Sequence, residues 1–322
     1  MVYPQSRRER NRWIISRRGS RHSLSEDVPY AFLKERELSK DRTLTGVFTV
    51  FLTNRECPWK CFMCDLWKNT LESSVAPGVI PRQIKYAFER LGVSGDRSRS
   101  QVKLYNNGSF FDPRAIPVDD YAEIARLVSG FRRVIVECHP LFIGDLCQQF
   151  RDLLTGELEV AIGLETAHTE ALEKLNKGFG VDDFRQRCDW LREREISIRV
   201  FLLMNVPFIP VTDQAEWVER SIGLASEAGA AVICLIPTRF GNGALETLVE
   251  SGDYRNTQLD QLEDAMDSGL RLSQALVLAD LWDLEQFSTC QFCFPKRRFR
   301  LEEMNRQQAV LERIECSQCH GN

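Results

Sequence analysis

The stretch TGVFTVFLTNRECPWKCFMC, residues 45–64, decides how the rest of the chain is read. Its first half is a nearly continuous run of Val, Phe, Leu and Thr, the composition of a strand covered on both faces. Its second half sets Cys57, Cys61 and Cys64 on one loop. Three neighbouring thiolates suit an iron–sulfur cubane, which has four irons and thiolates as its normal ligands. Three ligands leave one iron without a protein donor, and an open position is what a catalytic metal site needs. Zinc would want a fourth Cys or His, and the loop has none; His139 could supply one only through the fold.

Working outward, the same strand-then-helix alternation repeats. Apolar runs QVKLYNNG, RRVIVECHP, LEVAIGLET, ISIRVFLLMNVPF and AAVICLIPT predict five more strands. Between them lie amphipathic segments such as IPRQIKYAFERL, VDDYAEIARLVSGF and VDDFRQRCDWLRER. Serial strand–helix units mean an α/β fold, either a barrel-like parallel sheet or a doubly wound one. Polar residues gather at the strand ends: Asn106 to Ser109, Glu137 and His139, Glu165 and Thr166, Asn205, Thr238 and Arg239. In a parallel barrel those ends form the reaction mouth, and the cysteine triad opens onto the same mouth.

Composition narrows the class. The 322 residues are 43% hydrophobic, enough for a packed core, and 42 basic against 46 acidic residues exclude a chain that is basic throughout. No apolar stretch is long enough for a membrane helix, and the first residues lack the apolar core of a secretory signal. Eleven cysteines in such a chain point to metal or thiol chemistry in a reducing, cytoplasmic compartment. Cys138, Cys147, Cys188 and Cys234 lie singly in apolar surroundings and are expected to pack as small hydrophobes. Cys290-x2-Cys293 and Cys316-x2-Cys319 instead read as a four-thiolate site, for zinc or for an auxiliary iron–sulfur cluster, with His320 a substitute ligand.

Two basic stretches stand out on an acidic chain. Arg7 to Arg21 form a basic N-terminal arm, either solvated or holding phosphate. Lys296, Arg297, Arg298 and Arg300 lie between the C-terminal cysteine pairs, either as a platform for RNA phosphate or as a solvated loop. The expected organisation is a basic arm and lead-in over 1–43, a core over 44–250, and a helical, cysteine-bearing extension over 251–322.

The triad resembles the signature of the radical S-adenosylmethionine (radical SAM) enzymes. The runs YNNGSFFDPRAIP, VIVECHPLFI, VAIGLETAHTEALEKLNKGF and FLLMNVPF resemble the branch containing the archaeosine synthase radical subunit, within an elongator- and methylthiotransferase-like set. The resemblance implies a partial (β/α)6, TIM-like barrel with a [4Fe-4S] cluster on Cys57, Cys61 and Cys64. It implies an enzyme in which reductive cleavage of S-adenosylmethionine yields a 5′-deoxyadenosyl radical that abstracts hydrogen from substrate. It further implies S-adenosylmethionine contacts at Met63, Asn107, Gly108, Ser109, Glu137 and Glu165. Met63 stands where many members carry an aromatic residue, and the loop at 106–109 lacks the common carboxylate. The expected partners are S-adenosylmethionine, an electron donor such as flavodoxin or ferredoxin, and a tRNA whose nucleoside is modified. Rival readings are the same chemistry on a small metabolite or peptide, or a non-catalytic metal-dependent RNA-binding or assembly protein.

Overall fold

The computed structural model describes residues 3–319. One eight-stranded sheet runs in sequence order: β1 (Ala31–Leu38), β2 (Leu44–Phe51), β3 (Ser100–Tyr105), β4 (Arg133–Glu137), β5 (Glu157–Glu165), β6 (Ser197–Met204), β7 (Val232–Pro237) and β8 (Leu276–Ala279). β1 pairs antiparallel with β2, and all later neighbours are parallel. The sheet curls into a half-barrel, and β2–β7 are the six strands expected from the alternating runs.

Ten α-helices occur among the described residues. They are α1 (Arg7–Arg17), α2 (Val79–Leu91), α3 (Tyr121–Leu127), α4 (Asp145–Leu153), α5 (Thr169–Lys174), α6 (Val181–Arg192), α7 (Gln214–Glu227), α8 (Ala244–Glu250), α9 (Leu259–Leu272) and α10 (Phe294–Gln307). α2 shows why they dock: Ile80, Ile84, Ala87 and Phe88 recur at helical spacing and are buried against the sheet. The apolar side chains of α2–α4, α6, α7, α9 and α10 and of the strands' outer faces form the main core, while Ile14 of α1 and Ala244, Leu245 and Leu248 of α8 belong to a second cluster with Phe62.

Two strands differ from the expectation. FLKEREL carries four consecutive charged residues, Lys34 to Glu37, like a solvated segment, yet it lies in β1. Its charges have partners inside the curl: Lys103 binds Glu35 at 3.0 Å and Glu37 at 2.7 Å, and Arg199 binds Glu37 at 2.6 Å. Arg199 also reaches Glu159 at 2.7 Å, and Arg133 reaches Glu157 and Glu159. The stretch after residue 250, read as helical, breaks after α9 to give the short strand β8.

The two sheet edges meet through side chains. Leu38 of β1 packs with Leu276 and Leu278 of β8, Glu37 crosses to Arg199 of β6, and Phe51 of β2 lies 5.7 Å from the ring of Trp282 beyond β8.

Both basic stretches fold only partly inward: Arg10, Arg297 and Arg300 are buried, whereas Arg7, Arg8, Arg12 and Arg17 are exposed. The N-terminal arm forms α1, with Ile14 fully buried and Arg10 donating to Pro4 O and Glu173 O. Of the C-terminal cluster, Arg297 pairs with Glu263 at 2.6 Å and Arg300 with Asp267 at 2.7 Å, both buried on α9. That half of the expected RNA platform is therefore core, and only Lys296 and Arg298 face solvent.

Candidate active site

The triad loop follows β2 and is held from three sides. Phe62 N donates to Leu175 O at 2.9 Å, Asn176 Nδ2 to Lys60 O at 2.8 Å, and Asn242 Nδ2 to Phe62 O. Trp59 stacks on His139, with ring centroids 3.5 Å apart and planes 8° from parallel. The His139 ring bridges Lys177 O at 2.8 Å and Leu141 N at 3.3 Å, and burial pushes its pKa down to about 3. The neutral ring thus packs against indole without charge. Glu56 takes Arg18, Arg21 and Lys60, which hold it down to about 2 against the opposing effect of burial.

Burial raises all three triad thiols, Cys57 to about 12. A nearby cation opposes this. Lys177 acts on Cys61 and forms a buried ion pair with Glu165. Burial works against the Lys177 charge, but Glu165 and Cys61 outweigh it and the ammonium is retained. Glu165 sits in left-handed backbone (φ 69°), a costly conformation for a glutamate, with a register shift between Gly163 and Glu165. A Cβ at Gly163 would overlap the Glu165 carboxylate and come 2.9 Å from Lys177 Nζ, so the pair needs glycine there.

The loop after β3 lies against the triad. Glu137 Oε1 accepts from Asn106 N at 2.6 Å and Gly108 N at 3.3 Å, while its burial raises its pKa. Asn107 (φ 52°) accepts from Tyr30 OH at 2.8 Å and donates to Asn69 O at 3.3 Å. Ser109 Oγ accepts from His139 N at 2.9 Å. The side chains of Asn107, Ser109 and Glu137 are thus engaged in shaping the loop, and Met63 packs with Phe62 in a second apolar cluster. Asn106 differs: both amide atoms are buried and unpaired among the described residues. Its strand-end position in a polar run was the only signal in the sequence. Lys177 was missed altogether.

The lumen above the ion network carries rings. Tyr105, two residues along β3 from Lys103, lies 6.3 Å from Phe201, and Phe51 lies between Tyr105 and Trp282.

The C-terminal cysteines converge. The ligand atoms of Cys290, Cys293, Cys316 and Cys319 all lie within 4.8 Å of one another. Backbone N–H groups of Gln318 and Cys319 hold the Cys316 thiol down to about 7, while burial and its neighbouring cysteines push Cys293 up to about 12. His320 lies outside the described residues. Cys138, Cys147, Cys188 and Cys234 are buried, as expected of packing residues. No helix among the described residues is long and apolar enough to cross a membrane.

No family model matches the chain. It is 25% identical over 244 residues to an uncharacterized protein of Methanocaldococcus jannaschii, covering 71% of this chain and 66% of that one. It is also 25% identical over 219 residues to archaeosine synthase subunit beta of Methanosarcina acetivorans, covering 66% and 63%. The chain thus spans just under two thirds of the length of either curated relative. Among solved structures it resembles archaeal Elp3 of Methanocaldococcus infernus with residues 1–46 deleted. That likeness has a TM-score of 0.54 at 12% identity, over 74% of this chain and 62% of Elp3. The half-barrel of this chain is a fold it shares with Elp3.

Proposed function

We propose that the chain is a cytoplasmic radical SAM enzyme with its cluster on Cys57, Cys61 and Cys64. The observation that carries this is a set of three half-buried cysteines on one tightly held loop at the C-terminal mouth of a half-barrel, beside the buried Lys177. A [4Fe-4S] cluster bound there supplies an open iron for S-adenosylmethionine and the electron that cleaves its sulfonium. The donor set fits such a group: all thiolates, with Lys177 to offset negative charge. Asn106 fits the co-substrate, because a buried amide without a partner costs about 1–3 kcal/mol unless a ligand satisfies it. Glu137 positions the loop that carries Asn106, and Glu165 holds Lys177 toward the thiols. Asn107, Gly108 and Ser109 shape that same wall, and Met63 borders it.

The proposed substrate is a nucleoside in tRNA. The relative named archaeosine synthase subunit beta supports this, as do the rings of Phe51, Tyr105, Phe201 and Trp282, which suit a planar base better than an aliphatic metabolite. For the four C-terminal cysteines we favour zinc. Sulfurs on one tetrahedral zinc stand about 3.8 Å apart, given Zn–S bonds of ~2.3 Å. The sulfurs of Cys290 and Cys316 stand 3.9 Å apart and those of Cys293 and Cys319 3.6 Å apart. A cubane would put each thiolate on a different iron and spread them farther.

Anaerobic reconstitution tests the reading. The reduced protein is expected to form 5′-deoxyadenosine from S-adenosylmethionine and to hold about four irons and one zinc per chain. No 5′-deoxyadenosine, or behaviour unchanged in Cys57→Ala, overturns the radical chemistry. No affinity for bulk tRNA at low salt overturns the substrate.

A further inference from the structure

A cavity of about 310 Å³ opens on the outside of the triad loop, and one of its walls is Cys57. Arg55, Lys60 and Arg114 line it together with Arg21, against the two carboxylates of Glu56 and Glu72. Glu56 is already neutralised by Arg18, Arg21 and Lys60. Arg114 is turned by Asp112, whose side chain is 3% exposed, while its own guanidinium is half exposed. Among the described residues, the Arg55 guanidinium has one hydrogen bond, a 3.4 Å contact to Ser74 Oγ. The result is a net positive recess on a chain whose net charge is −4, in direct contact with a triad cysteine. Lys177 and Glu165, by contrast, meet the triad from within the barrel.

We propose that this recess is the electron port: the docking site of an acidic, low-potential one-electron carrier of the flavodoxin or ferredoxin class. The proposal rests on the radical SAM reading above and adds to it the route of the reducing electron. In the step, the reduced carrier loses one electron and the group held by Cys57 gains it. No bond forms or breaks and no proton moves. Docking here sets the carrier against Cys57, which lines the recess, and leaves the barrel lumen to the substrate. Charge complementarity selects the partner's acidic face and speeds encounter. An RNA strand fits the recess less well. None of the residues lining it is aromatic, so bases have nothing to stack on, and Glu72 repels phosphate.

Arg55→Glu is the variant of choice, because Arg55 supports no buried carboxylate. Reconstituted wild type and variant are mixed with flavodoxin hydroquinone, and reduction is followed by the loss of visible absorbance in stopped flow, alongside titration of flavodoxin binding. The variant is expected to be reduced about tenfold more slowly, to bind flavodoxin more weakly, and to show a shallower dependence on ionic strength. Dithionite, which needs no docking site, is expected to reduce both proteins alike and to support equal 5′-deoxyadenosine formation. Unchanged flavodoxin reduction and binding in the variant overturn the port. Unchanged flavodoxin reduction with weakened tRNA binding overturns it too, and assigns the recess to RNA. If neither protein forms 5′-deoxyadenosine with dithionite, the radical reading fails instead. Charge-neutral Arg55→Gln, expected to be intermediate, guards against a folding defect in the reversal.

Discussion

Gly108 stands directly against Cys57: a Cβ at position 108 would come 3.3 Å from Cys57 Cβ and 3.7 Å from its Cα. The loop that Glu137 holds therefore fixes the outer side of the triad by contact. Gly108→Ala is expected to cost about 1 kcal/mol and Gly108→Val about 3 kcal/mol, as for other overpacked sites. Iron retained after reconstitution should fall in the same order, which metal analysis measures. Equal iron in wild type and Gly108→Val would contradict the contact.

The Lys177–Glu165 pair is buried on both sides, at 9% and 10% side-chain exposure. Removing one partner strands the other charge, so Lys177→Ala should destabilise the fold by about 3 kcal/mol in urea. The double variant Lys177→Met, Glu165→Gln should recover most of that. A double variant as unstable as the single one would show that shape, rather than charge, governs the site.

Cys316→Ser removes one of four converging thiols. About one zinc per chain should be lost while the iron at Cys57, Cys61 and Cys64 stays. Limited proteolysis should then cut near residues 308–319, where the chain leaves α10, before it cuts the barrel. Simultaneous loss of zinc and iron would contradict two independent sites.

His139 gives a pH dependence whose sign is fixed. Its folded pKa lies near 3, below the unfolded value of about 6.5. Between those values the unfolded chain binds a proton and the folded chain does not. Stability should therefore fall as the pH drops from about 6.5 toward 3, by up to about 1.4 kcal/mol per pH unit from this group. His139→Gln should reduce that slope in urea titrations at pH 7 and 5, whatever its effect on stability at neutral pH.

What was legible in the sequence followed from short-range patterns. The strand before the triad, the six parallel strands and the pairing of the C-terminal knuckles all come from spacing within a few residues. Contacts between distant segments were not legible. Lys177 looks like an ordinary surface lysine until the turn at Glu165 places a carboxylate beside it. The charges of β1 look solvated until the curl brings Lys103 and Arg199 to them. Arg297 and Arg300 were within reach: with Leu301 and Met304 they form an inward stripe at helical spacing, a signal obscured by reading the segment as a loop.

The bridged sheet edges have a consequence for traffic. With Leu38, Glu37 and Phe51 spanning to β8, β6 and Trp282, side chains bridge the open side of the half-barrel, and a substrate bound for its lumen enters end-on along the axis. A long polymer cannot be laid across such an opening with its reactive unit stacked among neighbours. That unit has to swing free of the strand and enter alone, and the product has to back out the same way before the next can enter.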